Sequence, residues 1–140
     1  MPSVTAETTR LVLPSRIESV EQAAAAAEEI AKRSGLSPEA AYGVDMALRE
    51  AVGNAVVHGN KRDENKEVTV TFTSSPGVLE IEVSDRGSGF DFESIPDPTA
   101  EENVLKTSGR GIFFMRTFMD DVSYSRTPEG GTTVHMKKHS

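Results

Sequence analysis

The chain contains no cysteine, which removes disulfides, thiolate metal sites and cysteine nucleophiles together and suits a reducing compartment. It also lacks basic excess: 15 Lys and Arg stand against 22 Asp and Glu, for a formal charge of −7 over 140 residues. Binding to duplex DNA or to an anionic membrane needs a basic face, so neither partner is expected. No run of apolar residues approaches a membrane span, and Met1 to Glu7 has no apolar segment of the signal-peptide kind. Internal repeats and low-complexity tracts are missing too. The expectation is one cytoplasmic domain over residues 1–140, long enough for a substantial core.

Hydrophobic periodicity lays out the elements. Residues 1–8 read as a frayed terminus, and the short apolar Arg10-Leu-Val-Leu13, stopped by Pro14, reads as an edge strand. Ser15-Arg-Ile-Glu18 has the form of a capping box, followed by Ile17, Val20, Ala24, Ala27 and Ile30/Ala31 at helical spacing up to a stop at Gly35. Ser37-Pro38-Glu39 supplies an N-cap, a first-position proline and an acid for the dipole of a second helix. That helix is predicted to run to about His58 with Gly59 as its C′ residue, burying Val44, Leu48, Ala51, Val52, Ala55 and Val56. From Glu67 the period becomes two: Val68, Val70 and Phe72, a turn at Ser74-Ser-Pro-Gly77, then Leu79, Ile81 and Val83, which predicts an antiparallel hairpin with one buried face. Residues 91–108 have no period and contain Pro96-Asp-Pro98, so they read as a long loop, a length usually tied to function. Ile112, Met115, Phe118 and Met119 mark a third helix, and Val122/Tyr124 and Thr132/Val134/Met136 two closing strands joined by Pro128-Glu-Gly-Gly131.

Three motifs carry chemistry. Asp85, in Asp85-Arg-Gly87-Ser-Gly89, shares the parity of Leu79, Ile81 and Val83, which turns its carboxylate toward the helix-covered face. A carboxylate there needs hydrogen-bond donors. The exocyclic amine of adenine is one such donor, and Gly87 and Gly89 would let the backbone approach a flat ring; a plain strand-end Asp-x-Gly turn is the alternative. Thr132 shares parity with Val134 and Met136 and would join Asp85 from the neighbouring strand, or serve only as a strand-forming threonine. On the second helix, Glu50, Asn54 and His58 are spaced i, i+4, i+8 and form one row. The carboxamide oxygen of Asn54 suits a magnesium ion that takes its other ligands from phosphates and water. Glu50 can orient or deprotonate an attacking hydroxyl or water. A solvated polar stripe is the alternative, but Asn54 sits in the mainly apolar Ala51-Val-Gly-Asn-Ala-Val-Val57. His58, at the helix end, fits a structural or capping role better than that of a base, and His135 and His139 receive no role. Gly109-Arg110-Gly111 closes the long loop and opens the third helix, where free N–H groups make a phosphate site and Arg110 can meet a phosphate or a partner carboxylate. The loop at 91–108 then reads as a lid.

In this order the boxes resemble the GHKL, or Bergerat-fold, ATPase superfamily. Glu50…Asn54…His58-Gly59 is similar to its N box, Asp85-x-Gly87-x-Gly89 to its first glycine box, Gly109-x-Gly111 to its second, and Gly131-Thr132 to its terminal Gly-Thr element. Within that superfamily the segment Gly109-Arg-Gly-Ile-Phe-Phe-Met115 resembles the bacterial anti-sigma-factor serine/threonine kinases of the RsbW-like type. The resemblance implies an α+β, two-layer sandwich whose mixed, mostly antiparallel sheet carries helices on one face. It implies ATP and Mg²⁺ as cofactors, Glu50 as catalytic base, Asn54 as metal ligand, Asp85 as adenine contact, and the glycines as shapers of pocket and lid. It further implies a sigma factor and a small antagonist protein as partners, phosphorylation of a serine or threonine on the antagonist, and a homodimer. Sensor histidine kinases of that superfamily carry a dimerisation helix with a phosphoacceptor histidine, and only a strand precedes the first helix here, so that branch is not expected. From a different class, a nucleotide-gated binding module with little or no phosphate transfer remains as the second reading.

Overall fold

The computed structural model describes residues 7–60, 65–86, 115–127 and 131–139. Five strands form one sheet in the order β1-β2-β3-β5-β4: β1 Glu7–Pro14, β2 Glu67–Ser75, β3 Val78–Ser84, β4 Asp121–Arg126 and β5 Thr132–His139. Every pairing among them is antiparallel, which is more uniform than the mixed sheet expected. Two helices, α1 Glu18–Arg33 and α2 Pro38–Asn54, pack on each other; α1 lies on β1 and β2, and α2 reaches β5. The expected two-layer α+β sandwich is the observed one. Among the described residues no helix is long and apolar enough to cross a membrane.

The core lies between the layers and follows the sequence periods. Val68, Val70 and Phe72 of β2, Leu79, Ile81 and Val83 of β3, and Val134 and Met136 of β5 all point inward and are buried. They meet Val44, Leu48, Ala51, Val52, Ala55 and Val56 of the second helix and its extension, the stripe predicted for it. Thr69, Thr71 and Thr73, alternating with the buried residues of β2, are only half-buried, as expected where one sheet face is left without helices. Met115 and Met119 close the core beside a helical segment at 115–118.

The turns and caps show where local signals held. Ser37 Oγ accepts the Ala40 N–H at 3.1 Å, with Pro38 in the first helical turn. Gly35 has φ +77° and closes α1: its N–H reaches the Lys32 carbonyl and the Leu36 N–H reaches that of Ala31, the paired bonds of a Schellman motif. Gly77, at φ +76°, completes the Pro-Gly turn between β2 and β3.

Elsewhere tertiary contacts overrode them. Ser15 does not cap α1. Ile17 occupies the N-cap position without a side-chain cap bond and is 52% exposed, so it also leaves the predicted stripe. Ser15 is instead buried, and its hydroxyl donates to the Lys66 carbonyl across the fold at 2.5 Å. Glu7 and Thr8 pair with Ser74 and Thr73, so the strand begins inside the stretch expected to fray, while residues 1–6 lie outside the described residues. The second helix ends in a π-helical turn, Ala55–Gly59, closed by Asn60, so Gly59 belongs to the turn and is not its C′ residue. Residues 91–108, expected to form the lid, and Ile112 of the third helix lie outside the described residues.

Burial ranks the core positions. Phe72→Ala is expected to destabilise the fold by about 3–5 kcal/mol, whereas Val12→Ala, at a site 48% exposed, should cost no more than about 0.5 kcal/mol. Denaturant unfolding of the two variants against the parent checks the ordering.

Candidate nucleotide site

β3 ends at Ser84, yet Asp85 keeps the inward parity of the strand and is only 4% exposed. Its backbone N–H donates to the Thr132 carbonyl at 2.9 Å, and its Oδ1 accepts the Thr132 N–H at 3.1 Å. The two residues thus close a ring across the β3–β5 junction. Thr132 is itself 3% exposed, and among the described residues its Oγ1 is buried without a hydrogen-bond partner. An orphaned hydroxyl costs about 1–3 kcal/mol unless something else supplies the bond.

Gly131 makes this closeness possible. A Cβ there would lie 2.2 Å from the Asp85 carbonyl oxygen and 3.2 Å from Thr127 Oγ1. Backbone cannot yield to that contact, so the position before Thr132 admits only glycine while the pair is formed. Thr127 Oγ1 accepts the Gly131 N–H at 2.8 Å and holds the approach from the other side.

Beside the pair lies a half-open cleft lined by Val83 and Val134, with Asn54, Asp85, Tyr124 and Thr132 as its polar groups. Ala51 and Ala55 face it from the helix, and their small side chains leave the space that a larger residue would fill. The π turn begins immediately after Asn54, and such turns are frequent at functional sites. The structure therefore brings Asn54 to one cavity with Asp85 and Thr132, the two residues that strand parity pairs from sequence. Glu50 does not line the cleft; it is half-buried one helical turn before Asn54. The i+8 member of the predicted row, His58, falls in the π turn, where α-helical spacing no longer applies, and its side chain lies outside the described residues. Gly87, Gly89, Gly109, Arg110 and Gly111 also lie outside the described residues.

Tyr124 was read from sequence only as part of a closing strand, although its parity with Val122 already turned it inward. Burial above all pushes its phenol well above the ordinary tyrosine range; the positive charge of Arg116 opposes this and the negative charge of Glu50 reinforces it. Glu50 thus acts electrostatically on a residue of the cleft without lining it. Asn60, 1% exposed, is a second residue to which the sequence reading gave no role. It follows His58-Gly59 directly, and its polarity at a helix end next to a buried stripe was the available signal.

The residues fit a purine nucleotide with a hard divalent cation. The orphaned Thr132 hydroxyl and the buried Asp85 carboxylate suit a base that carries an amine, and the Asn54 carboxamide supplies an oxygen of the kind magnesium takes. Among the described residues no group of three or more His, Cys, Asp or Glu is placed to hold a metal.

Known proteins resemble this chain over most of its length. The family model described as a histidine kinase-like ATPase domain matches residues 13–138. The serine-protein kinase RsbW of Listeria monocytogenes is 33% identical over 135 residues, covering 92% of this chain and 85% of that protein. An anti-sigma F factor of Bacillus licheniformis is 34% identical over 98 residues, 69% of this chain and 67% of that one. Among solved structures, the RsbU and RsbW domains of a Mycobacterium tuberculosis protein superpose with a TM-score of 0.69 at 18% identity, a likeness of fold. That match covers 95% of this chain, which spans 32% of the longer one.

Two substitutions should separate the glycines. Gly131→Ala is expected to break the Asp85–Thr132 ring and quicken amide exchange at Asp85 by about tenfold or more, while Gly53→Ala, with open space at its Cβ inside α2, should stabilise by about 0.5–1 kcal/mol. Amide hydrogen exchange and thermal unfolding provide the two readings.

The raised Tyr124 phenol gives a third prediction. Its folded pKa lies above its unfolded value, so its contribution is complete below about pH 10 and is lost as the unfolded chain ionises and pH climbs toward the folded value. Stability measured from pH 8 to 11 should fall more steeply in the parent than in Tyr124→Phe.

Proposed function

The chain belongs to the histidine kinase-like ATPase family, and on that premise we propose that it is an ATP-dependent protein-serine/threonine kinase of the anti-sigma-factor type. Its substrate is a serine or threonine on a small antagonist protein, and in the alternative state of the switch it holds a sigma factor. The names of its relatives, a serine-protein kinase and an anti-sigma factor, support both halves of that reading. We place it in the cytoplasm, as a homodimer whose protomer is one ATPase domain.

One observation carries the nucleotide part: a buried carboxylate and an orphaned hydroxyl, Asp85 and Thr132, held together in the lining of a cleft whose helix side is Asn54. Adenine presents an amine where guanine presents a carbonyl oxygen. The carboxylate of Asp85 accepts from that amine, and the Thr132 hydroxyl completes the contact directly or through one water. A guanine oxygen at the same place would face a carboxylate and be repelled.

Asn54 would hold magnesium through its carboxamide oxygen. Bound magnesium–ATP supplies the phosphoryl group and neutralises the charge that develops during its transfer. Glu50, one turn earlier, takes the proton from the attacking hydroxyl at its carboxylate. On the same reading Gly87 and Gly89 would serve the base, and Gly109, Arg110 and Gly111 the phosphates.

The division of labour is testable by calorimetry and phosphosite mapping. Asn54→Ala is expected to lose magnesium-dependent ATP binding, and an unchanged affinity would remove the metal assignment. Glu50→Ala should bind ATP like the parent but transfer phosphate about 10²–10⁴-fold more slowly. Incubation of the parent with labelled ATP and its copurifying partner should yield phosphoserine or phosphothreonine. Binding of ATP without either product would replace the kinase by a nucleotide-gated binding module.

A further inference from the structure

The geometry points to Asn60 as a positioning residue that sets the base selectivity of the site by holding Asp85 in place; the inference rests on the ATP reading above. Asn60 is 1% exposed, does not line the cleft and has no part in the chemistry assigned to Glu50, Asn54, Asp85 or Thr132. Its backbone N–H closes the π turn on the Ala55 carbonyl at 2.8 Å. Its carboxamide then joins three other segments. Nδ2 donates to Ser15 Oγ at 2.7 Å, with the carbonyls of Glu67 and Lys66 at 3.1 and 3.3 Å, and Oδ1 accepts the Arg86 N–H at 2.8 Å.

The position of those partners in the sheet gives the contact its meaning. The β2–β3 ladder ends at the pair Thr69↔Ser84. Continued by two residues, the same antiparallel register would set Glu67 opposite Arg86. The ladder does not continue, and the Asn60 carboxamide stands between those two residues instead. It donates to the carbonyl of one and accepts from the N–H of the other, as a peptide group would. The exposed side chains of Glu67 and Arg86 still approach to 3.9 Å, consistent with their facing positions. Asp85 is therefore held on both sides of the strand end. Thr132 of β5 binds it from one flank, and Asn60 fixes the next residue, Arg86, from the other.

Ser15 completes the bracket. It accepts from Asn60 Nδ2 and donates to the Lys66 carbonyl, so the β1–α1 junction braces the carboxamide from behind. This also explains why Ser15 is buried where a helix cap was expected. The π turn that follows Asn54 leads directly into Asn60, so one segment carries both the metal ligand and the brace for the base contact. A shift of Asp85 by a fraction of a hydrogen bond would weaken the amine contact and relieve the repulsion of a carbonyl. ATP affinity would fall and GTP affinity would rise relative to it.

The test measures the ATP:GTP affinity ratio by calorimetry with magnesium for the parent, Asn60→Ala and Ser15→Ala. A residue that only stabilises the fold would lower both affinities alike and leave the ratio unchanged. We expect the ratio to drop by about tenfold in Asn60→Ala, the worth of roughly one hydrogen bond, and by less in the same direction in Ser15→Ala, which leaves the carboxamide in place. A ratio equal to the parent's in folded Asn60→Ala overturns the inference; if that variant does not fold, an unchanged ratio in Ser15→Ala does so. A parent that binds neither nucleotide, or both equally, overturns the Asp85–adenine reading itself, and with it the role of Asn60.

Discussion

A carboxylate held away from water at the end of a strand constrains everything around it. Asp85 is buried because β3 keeps its alternation one residue beyond its last pair, and a buried carboxylate is costly unless donors meet it. One donor on the protein side is the Thr132 N–H, which requires β5 to approach closely, which in turn requires glycine at 131. The facing helix must leave space, and it does so with the small side chains of Ala51 and Ala55. The local choices at four separate places in the chain are thus one choice, made by a single acid.

The same arrangement divides the site between two layers. The sheet supplies Asp85 and Thr132, tied to each other by one backbone bond and by the Oδ1 contact. The helix supplies Asn54 at the cleft and Glu50 beside it, on an element packed by Val44, Leu48 and Val52 against the core. Under the proposed function, base and phosphate are read by different layers. Asn60 is where the layers meet: it ends the helix and braces the strand.

Much of this was legible from residue order. Strand parity placed Asp85 and Thr132 inward, and helical spacing placed Glu50 and Asn54 one turn apart, because both periods are geometric and survive folding unchanged. The Schellman glycine at 35 and the serine cap at 37 were legible for the same reason, since their partners lie within a few residues. Ser15 was misread because its partners, Asn60 and Lys66, lie 45 and 51 residues away, and a cap motif carries no sign of a competing distant acceptor. Asn60 belongs to no spacing rule, and the parity that turns Tyr124 inward carries no sign of the cleft; each matters through what folding sets next to it. The π turn was hidden too, since the residues 55–59 continue the apolar pattern of the helix before them.

The sequence by itself determined the layers, the buried faces and the identity of the chemical groups, since alternation of two and of 3.6 dictates which side chains share a face. Tertiary structure alone decided which of those groups share a cavity, that Gly131 has no room for a side chain, and that a serine and an asparagine brace the strand end. Those outcomes depend on distances between segments far apart in the chain, and no local period encodes a distance.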